Sequence, residues 1–358
     1  MDLSAFPSKQ TAVVEDENGK PVLVHDAPLP SLERGTLLVK TVAVALNPSD
    51  YKMGLAYPSP SALIGGDFAG HIVAIDPEAQ AERPDLRVGD AVCGVVHGSN
   101  PESHEDGSFA EYVRVLAHLV LRVPSEMSLT DAVTLGAALL TNSIALWDAL
   151  QITATPESPA KDPFPVLVYG GSTSSGTMAI QLLKLSGIEP VATCSPHNFD
   201  LVKSFGASSV YDYTIAEVSR TIKTDTNGRL RHALDCISDA ASTACCLAAL
   251  GRVGCRCASL EVPREEWKTR KVVKHEFVMC PEGMGKELAL DGEYKRPASR
   301  AKRDLAARMF VIFQRLLDEK KLKTHPVEIL GQGLENVIGG LKRLKSGTVS
   351  GKKLVVLL

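Results

Sequence analysis

The stretch VLVYGGSTSSG, Val166 to Gly176, decides how the rest of the chain is read. A short apolar run, the mark of a buried strand, ends at Tyr169 and enters a loop made only of glycine and hydroxyl residues. An apolar-periodic helix, TMAIQLLKLSG, follows. Strand, glycine-rich turn and helix in that order form an anion cradle, because the first N–H groups of a helix lack internal partners and point at the loop. A pyrophosphate fits there, provided the unit opens a run of strand–helix pairs.

That context is present. VLVYG, TMAIQLLKLSG, PVATCS, NFDLVKSFGA, SVYDY, the polar IAEVSRTIKT, HALDCI, STACCLAALG and GCRCASL alternate strand-like and helix-like runs, which predicts a doubly wound parallel sheet. The loop departs from the usual three glycines, since Thr173 stands midway between Gly170 and Gly176. The hydroxyls of Ser172, Thr173, Ser174 and Ser175 are then expected to donate to phosphate oxygens. The second strand bears on cofactor choice. NAD-selective sites place a carboxylate after it for the ribose hydroxyls, whereas PVATCSPHNFD offers Ser195, His197 and Asn198, with none before Asp200. A 2′-phosphate would meet no repelling charge, so NADPH is expected over NADH, with Tyr213 after the third strand as a further phosphate contact.

Upstream, to about Val123, short β-branched runs broken by Gly, Pro and Asp predict a mostly antiparallel β-rich domain. From Ser128 the pattern turns helical, with a cap signal at its start, and is expected to run to Leu150. The last third reads as a strand in HEFVMC, a long amphipathic helix in SRAKRDLAARMFVIFQRLLDEKK, a second helix in LENVIGGLKRLKSG and a closing strand in KKLVVLL. At 358 residues, two domains are the natural expectation. A net charge of −3 argues against a nucleic-acid surface, and no segment reads as an uninterrupted apolar membrane span. The first residues lack a basic region followed by an apolar one, so a cytoplasmic protein is expected, with its eight cysteines reduced and packed as small hydrophobes.

ALNPSDYKMG (Ala45–Gly54), GGDFAG (Gly65–Gly70), RVGDAV (Arg87–Val92), GSFAEY (Gly107–Tyr112), the glycine and hydroxyl loop and VSGKKLVVL near the C-terminus together resemble the medium-chain dehydrogenase/reductase superfamily. The resemblance implies an α/β architecture: a GroES-like β-rich catalytic domain from residues 1–140 and 290–358, and a Rossmann cofactor-binding domain at 141–289. Zinc alcohol dehydrogenases of that superfamily hold the catalytic metal with a Cys and a His-Glu pair, where this chain has Asn47 and GGD. The segment from Cys93 to Tyr112 contains only one Cys, Cys93 itself, too few for a structural zinc lobe, so no metal is expected. His104, Glu105 and Asp106 in SHEDG read as a solvated acidic loop.

Within the metal-free branch, the loop with its helix and ATCSPHNFDLVKSFGA most resemble the trans-acting enoyl reductases that serve fungal polyketide synthases, the lovastatin enoyl reductase type. This implies NADPH-dependent reduction of an α,β-unsaturated thioester on a carrier-bound polyketide, with an iterative or hybrid synthase as partner and phosphopantetheine as tether. A stand-alone quinone or alkenal reductase is the alternative, and a cofactor-binding protein without turnover, like the crystallin relatives, a third. By the same resemblance Lys52 stabilises the enolate or supplies the proton, the Asn47–Pro48 turn faces the cofactor, and Thr141 lies near the nicotinamide and substrate carbonyl. Cys236 and Ile237 after the fourth Rossmann strand, and Ser259 and Leu260 after the fifth, line the nicotinamide pocket. The basic run Lys268, Arg270, Lys271 and Lys274, with Lys295 and Arg296, is a candidate docking rim for an acidic carrier domain.

Overall fold

The consecutive buried residues Ala12, Val13 and Val14 in KQTAVVE and the tight turn after Asp16 give an antiparallel hairpin of β1 (Lys9–Glu15) and β2 (Pro21–Pro28). The computed structural model describes residues 6–358. The chain then lays down β3 (Thr36–Ala45), α1 (Ser49–Ala56), β4 (Asp67–Ile75), α2 (Pro77–Glu82), β5 (Ala91–Val95), β6 (Tyr112–Leu116) and β7 (Val120–Arg122). Helices α3 (Leu129–Ala132) and α4 (Gly136–Asn142) follow. Ser128 caps α3 as expected, its hydroxyl accepting the Asp131 N–H at 3.1 Å.

The single helix expected to Leu150 instead comes in pieces, α3, α4 and a π-helical turn over Ser143–Ala149. The Thr134 hydroxyl donates to Asp131 O at 2.8 Å, competing with the helical ladder at the break. Residues Leu129–Ala149 are, contrary to expectation, apolar and long enough to cross a membrane by length and composition. With 78% of that window buried inside the fold, they are core.

The alternating segment forms β8 (Pro165–Tyr169), α5 (Ser174–Leu185), β9 (Glu189–Cys194), α6 (Phe199–Ser204), β10 (Ser209–Asp212), α7 (Val218–Asp225), β11 (His232–Asp235), α8 (Ala240–Ala249), β12 (Arg256–Ser259) and β13 (Lys274–Phe277). The six strands are all parallel, in the order β10-β9-β8-β11-β12-β13, so the winding reverses between β8 and β11. A ligand crevice is expected outside the strand ends at that reversal. All eight cysteines are free; Cys93, Cys194, Cys246, Cys255 and Cys257 are buried, while Cys236, Cys245 and Cys280 are half-buried.

The chain ends with α9 (Arg300–Asp318), β14 (Val327–Gln332), α10 (Glu335–Lys345) and β15 (Lys353–Leu357). β15 pairs antiparallel with β3 and parallel with β14, completing a seven-stranded mixed sheet in the order β14-β15-β3-β4-β5-β7, with β6 also on β3. Two units result. One holds the residues up to Leu140, Met284–Ser299 and Ala306–Leu358; the other holds Thr141–Gly283 and Arg300–Leu305.

SHEDG is solvated only in part: His104 is exposed, while its two carboxylates are engaged by a buried arginine. Arg114, 4% exposed, pairs with Asp106 at 2.8 Å and with Glu105 at 3.3 Å, and Ser59 meets His104 Nε2 at 3.2 Å. A buried guanidinium needs carboxylate partners, and this loop supplies two of them.

Candidate functional site

In the second unit, β8 delivers its chain end to Gly170 at φ +79°, a left-handed turn that suits glycine. Thr173 caps α5: its hydroxyl accepts the Gly176 N–H at 3.0 Å and donates to Gly170 O at 2.8 Å. That hydroxyl, expected to face phosphate, is therefore spent on shaping the loop. A Cβ at Gly176 would lie 2.3 Å from Gly170 O, so the loop folds this tightly only with glycine there. The Ser174 hydroxyl is buried without a partner at the head of α5. A tight glycine cradle, unused helix N–H groups and a buried donor fit a dinucleotide pyrophosphate, which Ser172, Ser174, Ser175 and the amides of the turn would hold.

Beyond β9, the residues singled out for the ribose end converge. Ser195 Oγ donates to Tyr213 Oη at 3.3 Å, Asn198 Nδ2 lies 3.3 Å from His197 Nε2, and the Tyr213 ring sits 6.1 Å from that of Tyr169. One carboxylate escaped the linear reading. Asp212 pairs in register with Cys194 across β9 and β10, but its Oδ1 already accepts the Thr214 N–H and hydroxyl at 2.9 and 2.7 Å.

At the ends of β11 and β12 a buried carboxylate organises the segment assigned to the nicotinamide. Asp235 accepts from Ile237 N at 3.1 Å, Ser238 N at 2.8 Å and Ser242 Oγ at 2.8 Å. Burial raises its pKa, against those donors. Leu260 N–H reaches both Asp235 O (3.2 Å) and Ser238 Oγ (3.0 Å), so one small network joins the two strand ends. Ile237, 43% exposed, packs over Gly170; the Ser259 hydroxyl is buried without a partner, and the Cys236 thiol is pushed up by burial. Asp235 and Ser238 were not singled out from the sequence, although Asp239-x-x-Ser242, a legible cap signal, stands next to them.

Thr141 is half-buried in the last turn of α4, where its neighbour Asn142 donates to Ser175 O at 3.0 Å, in the first turn of α5.

In the first unit, Lys52 is exposed on α1, whose first turn begins at Pro48. The turn that leads into α1 belongs to a largely buried polar network. Asn47 Nδ2 donates to Asp67 Oδ2 at 2.8 Å, the Lys353 ammonium stands 3.0 Å from the same oxygen and also donates to Asn47 Oδ1, and Ala137 N donates to Asp67 Oδ1 at 2.6 Å. Asp50 holds the turn locally, accepting the Asn47 N–H at 2.7 Å, while the Asn47 amide reaches across the fold. Burial pushes the Asp50 carboxyl up to about 7.

Known proteins bear on this geometry. A model of the alcohol dehydrogenase GroES-like domain matches residues 33–125, and one of the zinc-binding dehydrogenases matches residues 176–259. The chain is 47% identical over 354 residues to trans-enoyl reductase poxP of Penicillium oxalicum, covering 98% of this chain and 94% of that one. It is 48% identical to trans-enoyl reductase TwmE of Talaromyces wortmannii, covering 97% of each. The chain belongs to the trans-enoyl reductase family. Among solved structures, the CurK enoyl reductase shares the fold of this trans-enoyl reductase with a TM-score of 0.76 at 18% identity over 98% of this chain and 99% of that one. Mycobacterial Rv1454c complexed with NADPH does so at 0.70 and 19%, over 98% and 100%.

Zinc, named in the description of one matching family, does not fit the residues of this trans-enoyl reductase. Asn47 Oδ1 is engaged by Lys353, and Asp67 already holds three donors, one of them an ammonium, so a divalent cation would have to displace a like charge. Among the described residues, no group of three or more His, Cys, Asp or Glu is placed to hold a metal.

The basic run is partly consumed by the fold. Lys268 pairs with Glu265, and the Arg270 guanidinium donates to the carbonyls of Leu247, Leu250 and Gly251, closing the C-terminus of α8. Lys271 and Lys274 are exposed.

Proposed function

We propose that this trans-enoyl reductase reduces the α,β-unsaturated thioester of an intermediate tethered by phosphopantetheine to a polyketide or hybrid synthase, with NADPH as the reductant. The observation that carries the reading is the cradle at Gly170–Gly176, set in a chain nearly half identical, end to end, to trans-enoyl reductases. Two solved quinone oxidoreductases, at 19% and 21% identity, are similar in fold alone. The cytosol suits a chain with eight free thiols.

Reduction adds a hydride to the β-carbon and a proton to the α-carbon, and the enolate oxygen between those steps needs a donor. Bound NADPH supplies the hydride. Lys52 is the donor to the enolate oxygen or the source of the proton, and the Thr141 hydroxyl a second donor to the carbonyl. Ser195, His197, Asn198 and Tyr213 would take the 2′-phosphate, and Cys236, Ile237, Ser259 and Leu260 would line the nicotinamide end. Asn47 and Pro48 set the turn from which α1 carries Lys52.

The deciding experiment compares NADPH-dependent rates on an enoyl pantetheine thioester and on a small quinone, for the native protein and for Lys52→Met. The thioester is expected to be the better substrate, and Lys52→Met to lose turnover by about 10² while still binding NADPH. A native preference for the quinone would return the alternative, and normal turnover in the variant would remove Lys52 from the chemistry.

A further inference from the structure

Lysine is among the residues least often found inside a protein, yet the Lys353 side chain is only 5% exposed and that of its partner Asp67 not exposed at all. Its strand, β15, continues with Leu354, Val355 and Val356, all fully buried, so an apolar residue at 353 would serve the sheet equally well. The ammonium closes a triangle. It bonds Asp67 and the Asn47 carbonyl oxygen, while the Asn47 amide N–H bonds Asp67. Asn47 is thereby fixed through its side chain, and its backbone is fixed from the other direction by Asp50, whose carboxylate accepts the Asn47 N–H and whose own N–H donates to Asn47 O at 3.1 Å. The next carbonyl, Pro48 O, accepts the Lys52 N–H at 3.2 Å in the first turn of α1.

We infer that Lys353 is a positioning residue for Lys52: it holds the Asn47–Asp50 turn from which α1 starts, and so sets where the Lys52 side chain emerges. The inference rests on the role given to Lys52 above. A buried ion pair can be replaced by neutral residues at little cost in stability, so stability does not account for the ammonium, whereas placement of a catalytic group does.

The test uses the full-length protein carrying Lys353→Met, the pair Lys353→Met with Asp67→Asn, and Lys353→Met in a Lys52→Met background. Melting temperature, NADPH affinity by fluorescence, and kcat and KM on an enoyl pantetheine thioester are measured for each. Lys353→Met is expected to bind NADPH within about twofold of the native protein and to lose kcat by tenfold or more, since a displacement of about 1 Å can cost about 10² in rate. The paired variant, with no unpaired buried charge, regains the native melting temperature while its kcat stays low; it carries the measurement if the single variant does not fold. In the Lys52→Met background, Lys353→Met lowers kcat no further, because both act through one group. Native kcat in Lys353→Met, kcat recovering together with melting temperature in the pair, or additive losses with Lys52→Met would each overturn the inference. Normal turnover in Lys52→Met alone would overturn the role of Lys52 and this inference together, a result distinct from the other three.

Discussion

Asp235 Oδ1 accepts the Ser238 N–H at 2.8 Å, and that bond fixes a serine whose backbone lies at φ +63°, the left-handed region a side chain rarely adopts. The same oxygen takes the Ile237 N–H, and Ser238 Oγ in turn accepts from Leu260 N. Asp235→Ala removes the acceptor of four donors, the Ile237 and Ser238 N–H groups and the Ser242 and Thr243 hydroxyls. It is expected to cost about 3 kcal/mol of stability and to weaken NADPH binding by about tenfold or more, read by denaturant unfolding and a fluorescence titration. Asp235→Asn keeps an acceptor for both backbone N–H groups and should fall between. An unchanged cofactor affinity in the alanine variant would separate this network from the cofactor site.

Cofactor choice turns on Ser195. The native protein is expected to prefer NADPH by about tenfold or more, since a charge-assisted contact to phosphate is worth about 1.5–3 kcal/mol. Ser195→Asp places a carboxylate where a 2′-phosphate would lie and should reverse the preference. Comparing kcat/KM for the two cofactors settles it, and equal use of both by the native protein would mean that Asp212, next to this position on β10, sets the selectivity instead.

Asp50 makes a pH prediction. Its carboxyl is raised by burial, and further by Asp67, from an ordinary 3.8 to about 7, so between those values the folded chain keeps a proton that the unfolded chain has lost. More protons bound in the folded state means that this group's stabilisation is full below about pH 4 and is lost as the pH rises through 7. His97, His232 and His325, lowered to about 4 by burial, act with the opposite sign between about 4 and 6.5, so the native profile mixes the two. The difference between Asp50→Asn and the native protein isolates Asp50. The variant should gain relative stability on the order of 3 kcal/mol between pH 4.5 and 7.5. Parallel unfolding curves for the two proteins across that range would show that Asp50 does not titrate there.

Carrier docking, if it uses the basic run, should depend on Lys271 and Lys274. Reversing these two charges should slow turnover of carrier-bound substrate, more so as salt is lowered, and leave short soluble thioesters unaffected. Arg270→Ala should instead lower the melting temperature, because it uncaps α8. Equal relative rates on both substrates after charge reversal would place docking on another face.

The linear sequence determined what depends on near neighbours. The strand-and-helix rhythm from Val166, the Ser128 cap and the glycine turn at Gly170 are local matters of period, propensity and backbone freedom, and all three stand in the fold. β14 was not legible, because VEILGQ is half-exposed and bulged at Leu330, so it shows neither alternation nor a full apolar run. Nor was the break at Thr134, where a hydroxyl competes with the helical ladder, or the turn of Arg270 from surface charge to helix cap, which needs carbonyls that only folding brings within reach. What tertiary structure alone decided is the pairing that holds the turn ahead of α1. Asn47 and Lys353 stand 306 positions apart, and read along the chain each is an ordinary polar residue. Only the pairing of β15 against β3 puts an ammonium into a dry interior, where it must find Asp67 and the Asn47 carbonyl or not be buried at all.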